Sequence, residues 1–418
     1  MRSIAIGTNA LSNGALSLAV GVNSTSTGTG AIALGVNATA TSSATYAISI
    51  GKYANTSWTD AIALGTSSSA TQAMAIAIGS NAAATNVYSV AIGYGSKANG
   101  LFGIGLGYSA SASGSNSMAL GGLSNASASN TTALGISANA SGKSATALGD
   151  GTNASGISST AVGSQANASG GSATAIGDGA NASALRSTAL GSAANASDNG
   201  ATALGYSSIA SANDATAIGT GSSASANFST ALGRSSSASA ANATALGSLS
   251  NAFAVNATAL GTSSKALAAN ALALGSSANA SGLSATAVGD QALAAGNSAI
   301  AIGAGADALS DFAVAIGANS ASNASGTALG PNASAMGTGA TALGDGANAS
   351  GNGSAAIGQA SNASGVYASA MGYNAMASNT ESTALGVNTR AVGDYATALG
   401  SSATASANRA TAMGVSAN

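Results

Sequence analysis

The side chains that carry out most protein chemistry are nearly missing from this sequence. It has 418 residues with no His and no Cys, and 11 Asp plus Glu stand against 9 Lys plus Arg. Without imidazole or thiolate, nucleophilic triads and the usual N/S metal sites lack their parts. Serine is abundant, but it recurs at periodic turn positions with no base beside it. Acidic residues follow a recurring glycine at Asp150, Asp178, Asp290, Asp345 and Asp394. Their spacing sets them along one edge, well apart. Carboxylate catalysis needs two groups flanking one bond, and a Ca²⁺ cage needs converging oxygens. The expected role of the acidic edge is solubility. Neither enzymatic activity, nor a metal, nor a cofactor is expected.

Large side chains are rare enough to inspect singly. Tyr46, Trp58, Tyr88, Tyr94, Phe102 and Tyr108 crowd into residues 46–108, with Lys52, Tyr53 and Lys97 among them. Two readings apply. One is local packing. The other is a surface contact patch, because aromatic anchors are enriched where proteins meet partners.

The element that must position these residues is a repeat. One glycine recurs every 14 residues, at Gly51, Gly65, Gly79 and onward through Gly135, Gly149 and Gly275 to Gly317. Before it lie Gly7, Gly21 and Gly35, then one 16-residue step; after it comes one 13-residue step to Gly330, and the series resumes to Gly414. Half-period copies occur at 331–337 and 387–393. No linker interrupts the pattern, so residues 1–418 are expected to form one continuous domain.

With the glycine as position 1, positions 12 and 14 are aliphatic or Thr, and position 13 between them is almost always Ala. Large–small–large alternation is the period of a strand and not of a helix. A second short strand is expected around the Ala at position 6. Each coil then holds two strands of about five residues joined by tight glycine-assisted turns. Asn in the recurring NAS segments is placed to stack as a ladder from coil to coil. The fold class expected is all-β, a solenoid of stacked 14-residue coils.

Such a coil encloses little. Burial per residue falls short of the backbone entropy of roughly 1–2 kcal/mol that ordering costs. If the large residues point into the coil, the alanines Ala33, Ala77, Ala147 and Ala245 face outward and form a close-packing surface. Several chains are therefore expected to meet through them around a common axis, most simply as a homotrimer. At about 4.8 Å per coil, about thirty coils would run to roughly 140 Å.

Composition narrows the partners. The net charge is −2 and the pI about 4.8, with no basic stripe, so no nucleic acid is expected. The start, MRSIAIGTNA, lacks the apolar core of a signal peptide. No run of 18 apolar residues predicts a membrane helix. Sequons such as those at Asn125, Asn139, Asn153, Asn167 and Asn242 arise automatically from the repeat.

Segments such as SVAIGYGSKANG (89–100), DAIALGTSSSA (60–70) and SATALGDGTNASG (144–156) resemble the head repeats of trimeric autotransporter adhesins, the YadA-like head. The resemblance covers essentially the whole chain. It implies a left-handed parallel β-roll trimer and an extracellular role in binding host matrix, cells or other surfaces. The repeat pattern predicts no leader, neck, heptad stalk or membrane barrel within these 418 residues. End-to-end assembly into filaments, or a phage tail-fibre shaft on a virion, therefore stands beside the adhesin reading. A binder of a repetitive solid such as ice or polysaccharide is a third class, which would need a flat face of Thr. Thr132, Thr146, Thr188 and Thr202 recur at position 12, but there they are expected to lie in the core.

Overall fold

A computed structural model describes residues 2–418. The chain forms two compact units, Met1–Ser208 and Ile209–Asn418, each a parallel β-solenoid of 14-residue coils. In the first unit a representative coil contributes the strand Thr146–Leu148, a turn, the strand Asn153–Ala154 and a second turn. The strands have three and two residues and not about five. At positions 3 and 10 the backbone swings into the left-handed region, as at Ser137 (φ 54°) and Ser144 (φ 59°), and this ends each strand early.

Every strand pairs in parallel with its copy one coil away. Thr132, Ala133 and Leu134 lie opposite Thr146, Ala147 and Leu148, while Asn139 lies opposite Asn153. The second unit repeats the arrangement, with Thr230 opposite Thr244 and Ser223 opposite Ser237. The ladder bonds are regular, for example Asn139 N–H to Thr152 O at 2.8 Å and Thr146 N–H to Ser159 O at 2.9 Å.

The two irregular steps leave the pairing intact. Ile32 lies opposite Ile48 and Thr39 opposite Asn55 across the long coil; Val314 lies opposite Thr327 and Ala321 opposite Ser334 across the short one. The extra or missing residues are taken up in the turn that follows the two-residue strand. A turn can change length at little cost, whereas a one-residue slip of a strand would flip every side chain to the other face. The half-period copies sit where the two-residue strands Ser334–Ala335 and Arg390–Ala391 occur. The coil is thus built from two similar seven-residue halves. Each half has a left-handed residue at its third position, a small residue next, and Ala two places later.

The interior corrects one expectation. Ala33, Ala77, Ala147 and Ala245 are completely enclosed within the single chain. They point into the coil and are not available as a surface between chains. The small residues at positions 4, 6 and 11 point inward as well, for example Ala138, Ala140 and Ala145. The largest fully buried side chain in the molecule is threonine. The physical reason is the turns. Each reverses the chain within four or five residues, so the two sheets lie too close for anything larger. The Ile, Leu and Val residues of positions 12 and 14 therefore face out. Thr132, Thr146, Thr188 and Thr202 face out with them, half-buried on that surface and not in the core.

Hydroxyls inside the coil are mostly satisfied locally, although those of Ser49, Thr56, Ser322 and Ser354 are buried without a partner. Ser124 Oγ donates to Gly121 O at 2.9 Å, and Ser159 Oγ donates to Gly156 O at 2.7 Å. Serine can thus replace alanine at positions 4 and 11, where a carbonyl three residues back commonly accepts its proton; Ser354 is an exception.

Candidate adhesive surfaces

With a uniform small-residue interior, whatever the molecule does must be done by its outward positions. These fall into three kinds: the outer face of the three-residue strands, the outer face of the two-residue strands, and the two turns.

The first face is aliphatic. Position 14 presents Leu34, Leu64 and Leu134 at 41, 42 and 46 % exposure, next to the partly covered Ile32, Ile62 and Thr132. In the second unit Leu232, Leu274 and Ile302 continue the same register. A row of this kind, repeated on successive rungs, is a larger apolar surface than a soluble monomer ordinarily leaves open.

The second face is polar. From Asn125 to Asn195 the position-5 asparagines form an amide ladder. Asn139 Nδ2 donates to Asn153 Oδ1, Asn153 to Asn167 and Asn167 to Asn181, each at 2.8 Å. Lys97, Lys265 and Arg390 occupy the same position on other coils.

The turns carry the aromatic residues. Tyr46, Tyr88 and Phe102 sit at position 10 with φ of 56, 57 and 56°. The Tyr88 and Phe102 rings stack at 5.2 Å and 11°. Trp58 lies in the same turn of its own coil, with Asp60 at the left-handed position. Tyr94 and Tyr108 stack at 5.6 Å and 7°, but at position 2, on the other turn. The structure therefore joins Tyr88 to Phe102 and Tyr94 to Tyr108, but does not merge the six into one stripe. They divide between the two turns, and the strands of the coil lie between. Lys52 Nζ lies 5.1 Å from the centre of the Tyr53 ring, a cation–π contact.

Sequence reasoning missed the backbone at position 10. Phe228, Phe312, Tyr367 and Tyr395 in the second unit occupy the same left-handed site, all exposed. Their register to the repeat glycine was the signal that could have found them. The acidic residues Asp150, Asp178 and Asp290 stand exposed at position 2, the first two separated by an intervening coil. Among the described residues no three His, Cys, Asp or Glu side chains gather into a metal-binding group.

The recurring Gly65, Gly135, Gly149 and Gly275 all open the turn after the three-residue strand, with φ between 133 and 138°. At Gly135 a Cβ would sit 2.2 Å from the carbonyl oxygen of Gly149 on the next coil. Both the backbone angle and the close approach exclude a side chain there.

Comparison with known proteins fits this geometry. A family model described as the YadA head domain repeat matches successive, mostly overlapping segments from residues 1–24 to 391–417, nearly the whole chain. No curated protein matches. Among solved structures, the collagen-binding domain of the Yersinia adhesin YadA aligns at 20 % identity with a TM-score of 0.13. The alignment covers 45 % of this chain and 65 % of that one. The repeat glycine, the Ala-Ile/Leu-Gly strand and the family match along the chain agree: this protein belongs to the YadA head-repeat family of non-catalytic, cell-surface adhesin repeats.

Proposed function

We propose that the chain is an extracellular adhesive fibre that works as a homotrimer, with its aliphatic strand faces packed around a common axis and its turn edges displayed to host cells, matrix or other surfaces. One observation carries this reading: the large apolar residues lie outside the coil, in rows, and the interior holds nothing larger than threonine. An alanine interior gives each coil little hydrophobic stabilisation. Sealing the exposed two-fifths of a leucine such as Leu64 adds roughly 1–2 kcal/mol per rung at about 25 cal/mol per Å². Repeated along the chain, that term makes association the main source of stability. Cyclic symmetry lets each copy use the same face. The family resemblance supports three copies, a left-handed coil and one continuous repeat over residues 1–418.

The adhesive part rests on the turns. Stacked aromatic rings held on an exposed edge provide rigid, amphipathic contact area at low entropic cost. The outward threonines favour a second reading, a binder of a regular solid, because Thr132, Thr146, Thr188 and Thr202 form an outward row. The two readings use the same face and so exclude each other: a fibre buries it, a solid binder leaves it open. Sedimentation equilibrium of the full chain separates them. A trimer that falls to monomer in Leu64→Asp/Leu134→Asp supports the fibre. A wild-type monomer would sink it. Cell- and matrix-binding assays with Tyr88→Asn/Phe102→Asn then test the display edge, with loss of attachment at unchanged trimer mass as the expected result.

A further inference from the structure

We propose that the 13-residue coil of the second unit forms a binding groove for a neutral hexopyranose, on the same turn that carries the position-10 aromatics but not built on the assembly reading. The turn after the two-residue strand there spans four residues, 323–326, where the adjacent coils use five, 309–313 and 336–340. Ala324 and Ser325 both take positive φ, 42 and 58°, to close it. The shortened turn leaves a shallow, open groove of about 610 Å³. Leu309, Ser310, Asp311, Ser325 and Thr338 line it.

The polar groups of the groove are already oriented. Asp311 Oδ1 accepts from the Asn297 backbone N–H at 2.8 Å and Oδ2 accepts from Asn297 Nδ2 at 3.3 Å. Ser325 Oγ donates to the Asp311 carbonyl at 3.2 Å. Ser310 Oγ donates to Asn323 Oδ1. The carboxylate is thereby fixed in direction, and each oxygen retains a lone pair for one further donor. Two vicinal hydroxyls of a sugar are spaced to use both; Ser325 Oγ, its proton already donated to the Asp311 carbonyl, accepts from a third, and the Thr338 hydroxyl donates or accepts. Beside Asp311 stands Phe312, 64 % exposed and in the left-handed region at φ 59°. The next two residues in its column are Ser325 and Gly339, and a Cβ on Gly339 would meet nothing within 4 Å. Phe312 does not itself line the groove; its ring stands exposed at the next position along the turn, where a saccharide held on Asp311 extends over it. A fixed carboxylate with flanking hydroxyls, next to an exposed aromatic ring outside the lining, matches a neutral saccharide better than the alternatives. An anion is repelled by Asp311. A divalent cation would find a single carboxylate in the lining and would need several oxygens more.

Saturation-transfer NMR on the full chain tests this with methyl glucoside, methyl galactoside, methyl mannoside and N-acetylglucosamine, each titrated to saturation. Saturable binding of at least one is expected. Affinity should fall roughly tenfold or more in Asp311→Ala, which removes charge-assisted hydrogen bonds. It should fall also in Phe312→Asn, a change the left-handed backbone accepts, so the fold survives. Insertion of one glycine after Ala324, restoring the 14-residue coil, should abolish binding. No saturable binding of any of the four overturns the proposal. So does binding that persists in all three variants, or preferential binding of N-acetyl-lysine methylamide that the sugars do not displace. Because free monosaccharides in solution are the probe, failure here would leave the trimeric adhesive reading standing, and failure of that reading would leave this result unaffected.

Discussion

Replacing Ala147 with leucine tests which way the three-residue strand faces. Ala147 has no solvent exposure in the single chain. Its rung neighbours are Ala133 and Ala161, and the short strands of the same stretch contribute Ala140 and Ala154, all equally enclosed. Three additional carbon atoms have no free volume to enter. Relaxation along the stack meets the same walls one coil away. Overpacking of an ordered core costs about 1–3 kcal/mol, and here the upper end, about 3 kcal/mol, is expected. If the Met1–Ser208 unit melts cooperatively, an unfolding entropy of about 2 cal/mol/K per residue amounts to roughly 0.4 kcal/mol/K, and the melting temperature falls by roughly 7 °C. The companion variant is Leu134→Asp, which alters an outward residue. It should reduce the oligomer mass in sedimentation, with its loss of thermal stability confined to the part that depends on protein concentration. Circular dichroism melts at several concentrations, paired with sedimentation, distinguish the two. The opposite pattern would refute the inside-out coil: Ala147→Leu dissociating the oligomer without a change in monomer stability, and Leu134→Asp collapsing the monomer.

Three further expectations can be checked on the same material. Gly135→Ala places a Cβ 2.2 Å from a carbonyl oxygen at φ 138°, so urea titration should show a loss of about 3 kcal/mol or more. Asn153→Ala removes one ladder bond on each side, to Asn139 and to Asn167, and should cost about 1–2 kcal/mol, while Asn125→Ala, with a ladder bond only to Asn139, should cost about half as much. Asp307 lies in its ladder between Leu293 and Ala321, and burial raises its carboxyl above the ordinary 3.8. A raised carboxyl means that the native state binds the proton more tightly, so its contribution favours folding below the ordinary value and is lost as pH climbs through the raised one. Asp307→Asn should therefore raise the melting temperature at pH 7 and leave it nearly unchanged at pH 3; a gain at pH 3 equal to that at pH 7 would contradict the burial argument.

Much of the fold could be read because its signals are local. Gly135 and its copies mark each coil, since no other residue fits that angle and that approach. The alternation at Thr146–Ala147–Leu148 identifies a strand, and the NAS asparagines announce a ladder. Alternation, however, defines two faces without saying which is inside. The usual rule puts Leu148 in and Ala147 out, and it fails because the distance between the sheets is set by turn length and not by side-chain volume. The aromatic residues divide between two turns for a related reason. Phe102 and Tyr108 lie six residues apart, less than half a coil, yet positions 10 and 2 belong to different turns. The groove beside Asp311 was hidden because a missing residue in a repeat shows where a turn shortens, but not that a neighbouring carboxylate is held open above it.

The inward positions leave the chain little room for variety. A column of enclosed alanines tolerates only serine, glycine or threonine, so adjacent coils differ almost entirely at outward sites. Among these, position 10 is the most informative. Its left-handed backbone favours Gly or Asn, and a bulky L-residue there costs roughly 1–2 kcal/mol. Yet seven of the nine Tyr and four Phe residues stand at this one position, from Tyr46 to Tyr395, all exposed. Neither core packing nor strand propensity explains that placement, because the rings contribute nothing to the interior. What the site does offer is projection. A left-handed residue at the apex of a tight turn leaves its side chain exposed on the turn edge, off the aliphatic face that the proposed assembly would bury. Aromatic residues that are energetically costly to the coil, and that sit at its most projecting point, are best accounted for by contact with something outside the fibre.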